Sequence, residues 1–171
     1  MPYRKLVCNQ GYKVLKHSIE NIIADPQFAE GIAWVRRHFQ ANETIVKEGE
    51  VGKSLFFIEE GKLRVSVHVE LEERRKVQPG ISDLDQGAIF GETCLYESRV
   101  RTASVIAITD GCLLELDGER LSIYLDGNPT QGYLFFKRLF EIIFERLNHG
   151  NRTIESLLAW GLKAHGIDTL L

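Results

Sequence analysis

The apolar positions nearest the N-terminus follow the 3.6-residue period of an α-helix. From Leu15 onward, one face carries Ile19, Ile22 and Ile23. Residues 1–14 before this face are mixed in character and predict a loose arm. The pattern therefore predicts a helix that begins near residue 15.

A second helix is predicted directly after the first. Asp25 is a favoured N-cap residue, and Pro26 suits the first position of a helix. Apolar residues then continue at helical spacing to about His38, namely Phe28, Ile32 and Val35. Residues 1–38 are therefore expected to form an N-terminal arm and helices, and Trp34 is expected to be a packing residue on the second helix.

After Phe39 the period changes from 3.6 to 2, which is typical of strands. ETIVKEGE predicts a short strand that turns at Gly49, and SLFFIEEGKLRVSVHVE predicts two strands joined by a tight turn at Gly61. The second of these strands alternates apolar with polar residues, its apolar members being Leu63, Val65, Val67 and Val69. Further turn signals recur at Pro79-Gly80, Gly87 and Asp110-Gly111. This pattern predicts an α+β fold built on an antiparallel, jelly-roll-like β-roll of about eight short strands over residues 39–117.

Helical periodicity returns at Gly118. GERLSIYLDGN predicts a short helix that ends at Gly127, and Asn128-Pro129-Thr130 opens a longer one. The apolar stripe of the longer helix continues on both sides of Gly150 and consists of Leu134, Phe135, Leu139, Ile142, Ile143, Leu147, Ile154, Leu157, Leu158 and Leu162. Residues 118–171 are therefore expected to form C-terminal helices, with or without a bend at Gly150. Because the stripe is longer than a small roll needs, a homodimer seam is also predicted.

Composition narrows the class of protein. The chain has 171 residues and a net charge of −3, which argues against a nucleic-acid partner. Its three cysteines, Cys8, Cys94 and Cys112, show no CxxC spacing and predict reduced thiols in a cytoplasmic protein rather than disulfides or a zinc site. No signal peptide and no apolar run of membrane-spanning length is present. No two histidines have metal-ligand spacing, so a metal-dependent enzyme on a small β-roll is not predicted either.

Candidate chemistry is concentrated in FGETCLYESRVRTASV, residues 90–105. Gly91 ends an apolar strand and opens a short turn whose free N–H groups would favour an anion. Arg101 could return to the same place and pair with a phosphate, while Glu92 could accept a hydrogen bond from a sugar hydroxyl. A ribose phosphate fits this combination. The alternative is a buried ion pair between Glu92 and Arg101 themselves.

These residues resemble the phosphate-binding cassette of the cyclic nucleotide-binding domain family, which reads F-G-E-x-x-L and then R-[TSA]-A-x-V. The matching residues are Phe90-Gly91-Glu92, Leu95 and Arg101-Thr102-Ala103-Ser104-Val105. Two further stretches are similar to the family, IVKEGEVGKSLFFIEEGKLRVSV at residues 45–67 and DQGAIFGE at residues 85–92. The resemblance covers about residues 30–165.

The resemblance implies roles for individual residues. Arg101 would pair with the cyclic phosphate, and Glu92 would accept from the ribose 2′-hydroxyl. The rest of the cassette would surround the ligand, with Gly91, Thr93 and the N–H groups of Cys94 and Leu95 as a cradle and with Thr102 and Ala103 beside the phosphate or base. Leu84 and Val65 resemble positions that pack on the purine, and capping candidates on the C-terminal helix are Asn151, Arg152 and Ile154. Whether the base is that of cAMP or cGMP stays open.

The resemblance also implies a non-enzymatic sensor that needs no cofactor beyond its ligand, cAMP or cGMP. Only eight residues follow Lys163, which predicts a stand-alone member without a DNA-reading domain or pore. Ligand binding would reposition the C-terminal helices and signal through a homodimer or an unknown effector protein. The alternative is a degenerate, ligand-free interaction or dimerisation module of the same fold.

Overall fold

The computed structural model describes residues 15–71, 75–77, 79–95 and 99–165. Helix α1 covers 15–23 and precedes the strands. The strands are β1 Trp34–Phe39, β2 Thr44–Val46, β3 Val51–Gly52, β4 Ser54–Glu60, β5 Leu63–Ser66, β6 Val69–Leu71, β7 Arg75–Val77, β8 Gly80–Leu84, β9 Ile89–Phe90, β10 Arg99–Val100, β11 Ser104–Ala107 and β12 Gly111–Asp117. A short 3₁₀ helix, Glu92–Leu95, follows β9, and the chain ends in α2 Gly118–Gly127 and α3 Pro129–Ala164.

The strands form an antiparallel roll with two principal sheets. One has the order β1-β12-β4-β9 and the other the order β2-β11-β5-β8, with two-stranded pairs β10-β3 and β6-β7 beside them. The predicted tight turn between β4 and β5 is present, but it carries the chain from one sheet to the other, since β4 and β5 do not pair. The turn needs Gly61, which has a φ of +95° and whose Cβ would lie 2.8 Å from the Asp110 carbonyl oxygen. The predicted fold class is confirmed, with more strands than expected because several are only two or three residues long.

Strand β4 separates two apolar cores. Phe56 and Ile58 point into the interior of the roll, whereas Leu55 and Phe57 face the helices. The helix-side core also contains buried residues of α1, α2, α3 and the 3₁₀ helix, namely Leu15, Ile19, Ile22, Leu95, Leu121, Leu125, Phe135, Leu139 and Ile142. The sheet is therefore buried on both faces, and the helices share one core with the turn that follows Gly91.

The predicted second N-terminal helix is wrong. The capping signal is real, because Asp25 Oδ1 accepts from Gln27 N at 2.9 Å, but it closes only a turn. Residues 34–39 instead form β1, which pairs with β12 from Trp34 opposite Leu116 to Phe39 opposite Gly111. This long-range pairing overrides a local helical pattern, and the roll begins at residue 34 rather than 39. Trp34 is a buried packing residue as expected, but on a strand.

Alternation along β5 also ends earlier than predicted. The strand stops at Ser66, where the pairing with β8 is irregular, and the Ser66 side chain is buried although the pattern places it on the polar side. The predicted arm 1–14, which contains Cys8, and residues 72–74, 78, 96–98 and 166–171 lie outside the described residues.

The C-terminal helices follow the prediction closely. Asp117 caps α2 by accepting from Arg120 N at 2.8 Å, and α3 begins at Pro129. Helix α3 runs for 36 residues without a break at Gly150. Within the described part of the chain, no helix is long and apolar enough to cross a membrane, and no group of three or more potential ligands could hold a metal ion.

Candidate functional site

The site is built around the turn that begins at Gly91. This residue connects β9 to the 3₁₀ helix and has a φ of +79°. A Cβ here would lie 2.7 Å from Arg101 Nη1 and 2.8 Å from the Ser54 carbonyl oxygen, so that both conformation and space require glycine. The Gly91 carbonyl oxygen accepts from Cys94 N at 3.2 Å. The Cys94 N–H is therefore already used, which differs from its expected place in an open anion cradle.

The guanidinium of Arg101 is fixed against this turn. Its Nη1 donates to the Gly91 carbonyl oxygen at 3.3 Å, and its Nη2 donates to the Ser54 carbonyl oxygen at 2.7 Å. The cation also lies over the ring of Phe56, 5.6 Å from its centre, and Phe56 stacks on Phe90. The side chain is thus half-buried and oriented by carbonyl dipoles and an aromatic face.

The backbone of Arg101 is held by the loop between β2 and β3. Arg101 N donates to the Glu50 carbonyl oxygen at 2.7 Å, and Gly49 N donates to the Arg101 carbonyl oxygen at 2.9 Å. The neighbouring Glu48 accepts from His68 N and lies 2.9 Å from its ring Nδ1, an interaction that lowers the pKa of the Glu48 carboxyl. The cassette and the stretch 45–67, both of which resemble the family, therefore meet at Arg101.

Sequence reasoning missed Gly52. Strand β3 pairs Gly52 with Arg99 of β10, and a Cβ on Gly52 would lie 1.9 Å from Arg101 Nε. Glycine therefore provides the space in which the guanidinium lies. The only signal in the sequence was its position in the stretch 45–67, where nothing distinguishes it from a turn glycine.

Glu92 has a partner other than Arg101. Its Oε1 lies 3.5 Å from Arg146 Nη1 on α3, and Arg146 Nη2 donates to the Ile89 carbonyl oxygen. The alternative of a Glu92–Arg101 pair is thus not what the structure contains, because each residue is held by other groups. Arg146 was missed, although it continues the buried stripe of α3 at helical spacing, after Phe135, Leu139 and Ile142.

The predicted capping residues lie farther along the same helix. Asn151, Arg152 and Ile154 are all exposed. Asn151 is five positions beyond Arg146, a rise of roughly 7.5 Å along an α-helix. In this structure the contact between α3 and the cassette is made by Arg146, and the capping role of the three residues stays a prediction.

The 3₁₀ helix connects the cassette to the helical core. Cys94 and Leu95 are buried, and the Cys94 Sγ would lie 2.6 Å from a Cβ on Gly118 at the start of α2. Burial raises the pKa of the Cys94 thiol to about 11, so the thiol stays protonated. Burial likewise raises the pKa of Cys112. Both cysteines are free thiols. Because Cys94 packs against Gly118, a displacement of the 3₁₀ helix would also displace the start of α2.

The remaining predicted residues occupy different environments. Thr93 and Thr102 are exposed beside the turn, and Ala103 is half-buried. Leu84 is buried and belongs to the interior core of the roll, against which the half-buried Val65 packs. The structure therefore gathers Gly91, Glu92, Arg101 and their neighbours in one place, and the predicted purine contacts line the roll.

A family model, Cyclic nucleotide-binding domain, matches residues 36–128, which span more than half of the chain. The chain belongs to the cyclic nucleotide-binding domain family. The matched region of this family domain begins two residues after the start of β1 and ends between α2 and α3. It therefore includes the roll except for the first two residues of β1, the cassette and the first of the two C-terminal helices.

The chain is similar to part of a much longer protein and to solved structures of the same fold. It is 32% identical over 122 residues to the human potassium/sodium hyperpolarization-activated cyclic nucleotide-gated channel 3, a match that covers 70% of this chain and 14% of the channel. Among solved structures it is similar to a cyclic nucleotide-binding domain from Methylobacillus flagellatus, with a TM-score of 0.62, 19% identity and coverage of 81% and 80% of the two chains. The catabolite activator protein of Thermus thermophilus gives a TM-score of 0.58 and 24% identity, covering 78% of this chain and 63% of that one. These two structures support the fold alone.

Proposed function

We propose that the protein is a non-enzymatic sensor of a cyclic nucleotide, cAMP or cGMP, which binds at Gly91, Glu92 and Arg101. The observation that carries the proposal is the positioned guanidinium of Arg101. Two glycines leave room for it, and two carbonyl oxygens orient it. An arginine has five N–H donors, of which these bonds use two, so the others can pair with phosphate oxygens.

Glu92 supplies the second contact. Its side chain is partly exposed and only loosely paired, with 3.5 Å between its Oε1 and Arg146 Nη1. A carboxylate oxygen has lone pairs enough to accept from a ribose hydroxyl as well. A cationic residue, Arg101, and an anionic residue, Glu92, at the same turn suit a ligand that has a phosphate beside a hydroxyl.

The same contacts suggest a route by which ligand binding changes the position of α3. The ribose hydroxyl and Arg146 share the Glu92 carboxylate, and Leu95 packs in one core with Phe135, Leu139 and Ile142. A ligand shifts a conformational equilibrium by its differential affinity for the two states. Nucleotide that draws Glu92 toward the ribose hydroxyl and the 3₁₀ helix toward the ligand would change both contacts with α3 and so reposition the helix for a dimer mate or an effector protein.

Thermal unfolding with cAMP, cGMP and, as a control, the non-cyclic 5′-AMP tests the proposal. At a hundred times the dissociation constant, binding adds roughly 2.7 kcal/mol, and each kcal/mol raises the midpoint of a domain of this size by about 2–4 °C, so we expect a rise of roughly 5–10 °C. The rise should occur with at least one cyclic nucleotide and not with 5′-AMP. The stronger ligand identifies the base.

Arg101→Ala should abolish the nucleotide-dependent rise. The substitution also removes two hydrogen bonds and should lower the midpoint without ligand, so the readout is the difference between bound and free protein. Arg36→Ala is the matched control, because Arg36 pairs with Glu59 elsewhere on the roll, and it should keep the full rise. A rise that survives Arg101→Ala would place the ligand elsewhere, and no rise with either cyclic nucleotide would favour the ligand-free interaction module.

Arg146→Gln tests the coupling to α3. Loss of this contact should leave nucleotide binding measurable while reducing the ligand-dependent change in hydrogen exchange of the α3 backbone. An unchanged exchange response would exclude Arg146 as the connection.

A further inference from the structure

The loop that connects β2 to β3 is bonded at three points to the chain that follows β10. Gly49 N donates to the Arg101 carbonyl oxygen at 2.9 Å, and Arg101 N donates to the Glu50 carbonyl oxygen at 2.7 Å. One residue earlier in the loop, Glu48 N donates at 3.1 Å to the hydroxyl of Ser104, which is buried on β11. Since the backbone of Arg101 is bonded to this loop in both directions, a displacement of the loop would also displace the base of the arginine side chain.

The side chain of Glu48 connects this loop to a third part of the roll. Its Oε2 accepts from His68 N at 2.9 Å and lies 2.9 Å from His68 Nδ1. His68 lies between β5 and β6, at the base of the hairpin that β6 forms with β7. The Glu48 side chain is 29% exposed, so the pair is partly shielded from water. Neither side chain belongs to the proposed contacts with nucleotide, and what the pair does is fix the loop against the hairpin.

The chemistry of the pair decides which ring nitrogen can gain a proton. The side-chain hydrogen bond with His68 lowers the pKa of the Glu48 carboxyl, so the carboxylate is ionised at neutral pH. An ionised carboxylate only accepts hydrogen bonds, and His68 Nδ1 must therefore carry a proton and donate it. A second proton can then be bound at Nε2. It would turn the contact with Glu48 into a charge-assisted hydrogen bond, which is roughly twice as strong as a neutral one.

The other charged residues on the surrounding elements are not histidines. They are Lys47 and Glu50 on the loop, Arg101 after β10, Arg64 on β5 and Asp83 on β8. Arg64 and Asp83 pair with each other at 2.8 Å. The charged residues in the sequence of the hairpin, 69–77, are glutamate, arginine and lysine. Histidine is the side chain whose charge ordinarily changes between about pH 5 and 8, so a change in this range acts on the loop through His68.

We propose that Glu48 and His68 are positioning residues of the nucleotide site, and that protonation of His68 raises the affinity for cyclic nucleotide by tightening the loop that holds Arg101. The inference rests on the proposed function and describes the regulation of the same site. Two events that favour the same state of the loop, here protonation and phosphate binding, strengthen each other. The affinity should therefore rise as the pH falls from 8 to 6.

Hydrogen exchange of the full chain without nucleotide tests whether the pair holds the loop. The measured quantities are the protection factors of the Gly49 and Arg101 amides, each corrected for the intrinsic exchange rate at its pH. We expect both to be about two- to fivefold higher at pH 6 than at pH 8. His68→Asn should remove this difference, because asparagine can donate from a similar place but binds no proton. Glu48→Ala should lower both factors at either pH, and unchanged factors in this variant overturn the inference whether or not a nucleotide binds.

Calorimetric titration with cAMP and cGMP at pH 6 and pH 8 tests the effect on affinity. The phosphodiester of a cyclic nucleotide keeps one negative charge over this range, so it adds no pH dependence of its own. We expect a dissociation constant about two- to fivefold lower at pH 6, and nearly equal constants at the two pH values in His68→Asn. His38→Asn is the matched control, because His38 is exposed on β1 in the other principal sheet, and it should keep the full difference.

The two measurements separate this inference from the proposed function. A pH difference in affinity that persists in His68→Asn overturns the inference and leaves the nucleotide site in place. So does a difference that is lost in His149→Asn instead, since His149 lies on α3, three positions after Arg146. Binding of neither nucleotide at either pH contradicts the proposed function, and the amide protection in Glu48→Ala then decides whether the pair positions Arg101.

Discussion

The two halves of α3 have a similar spacing of apolar residues, but one half is packed against the core and the other is exposed. In the inner half, residues 129–146, one side is buried against the core through Phe135, Leu139 and Ile142, and Arg146 reaches the cassette. In the outer half, residues 147–164, every residue from 149 to 160 is exposed. Both halves carry apolar residues at helical spacing.

The glycines of the two halves show the difference most directly. A Cβ on Gly132 in the inner half would lie 2.8 Å from the Leu125 carbonyl oxygen, whereas one on Gly150 in the outer half would meet nothing within 4 Å. The first glycine is explained by the contact between α2 and α3 within the chain. The second has no such neighbour. An apolar stripe on a helix thus indicates a packing surface, but it does not indicate whether the partner surface belongs to the same molecule.

The largest expected difference between the halves is in the free energy of unfolding that is lost when an apolar side chain is truncated to alanine. Phe135 is fully buried, and Phe135→Ala should lower the free energy of unfolding by about 3–5 kcal/mol because it leaves a cavity. Leu158 is 62% exposed, and Leu158→Ala should cost less than about 0.5 kcal/mol in dilute protein. Urea unfolding at low and high protein concentration measures both. Equal costs in dilute solution would contradict the division of the helix into a packed and an unpacked half.

A pH-dependent difference follows from the anchoring of the inner half. The Tyr124 hydroxyl donates to Asp25 and contacts Gln131 of α3, and burial, followed by the Asp25 hydrogen bond, raises its pKa to about 12. Since the folded-state pKa lies above the unfolded value of about 10, this contribution to stability is complete below pH 10 and is lost as the pH rises through 12.

Tyr124→Phe should therefore be less stable than the unaltered protein at pH 8, and the difference should shrink between about pH 10 and 12. Urea unfolding of both proteins at a series of pH values provides the comparison. A difference that stays constant to pH 12 would mean that the hydroxyl titrates normally and does not anchor the helix.

The smallest expected effect has opposite signs in the two halves. Gly132→Ala should destabilise the protein by about 1–2 kcal/mol, because the new Cβ meets the backbone of α2. Gly150→Ala should stabilise the dilute protein by about 0.5–1 kcal/mol through helix propensity. Thermal unfolding of the two variants is sufficient. Destabilisation by both would indicate that Gly150 has a neighbour within the chain after all.

The sequence predicted the fold class, the order of the elements and the turn at Gly91 well, because glycines and periodic apolar residues report local geometry. It failed where a distant segment decides the structure. Residues 34–39 have a helical pattern but pair with β12, which lies more than 70 positions away. Gly52 and Arg146 belong to the candidate site only because β3 and α3 approach the cassette, and a spacing along the chain does not encode that approach.

The uninterrupted length of α3 has a mechanical consequence. The outer half continues the inner half in one uninterrupted helix and extends for about 25 Å beyond it, at 1.5 Å per residue. A rotation of the inner half by about 10° against the roll would then sweep the far end of the helix through roughly 4 Å. A small displacement of the inner half at the cassette would therefore become a larger displacement at the exposed C-terminal end of the helix.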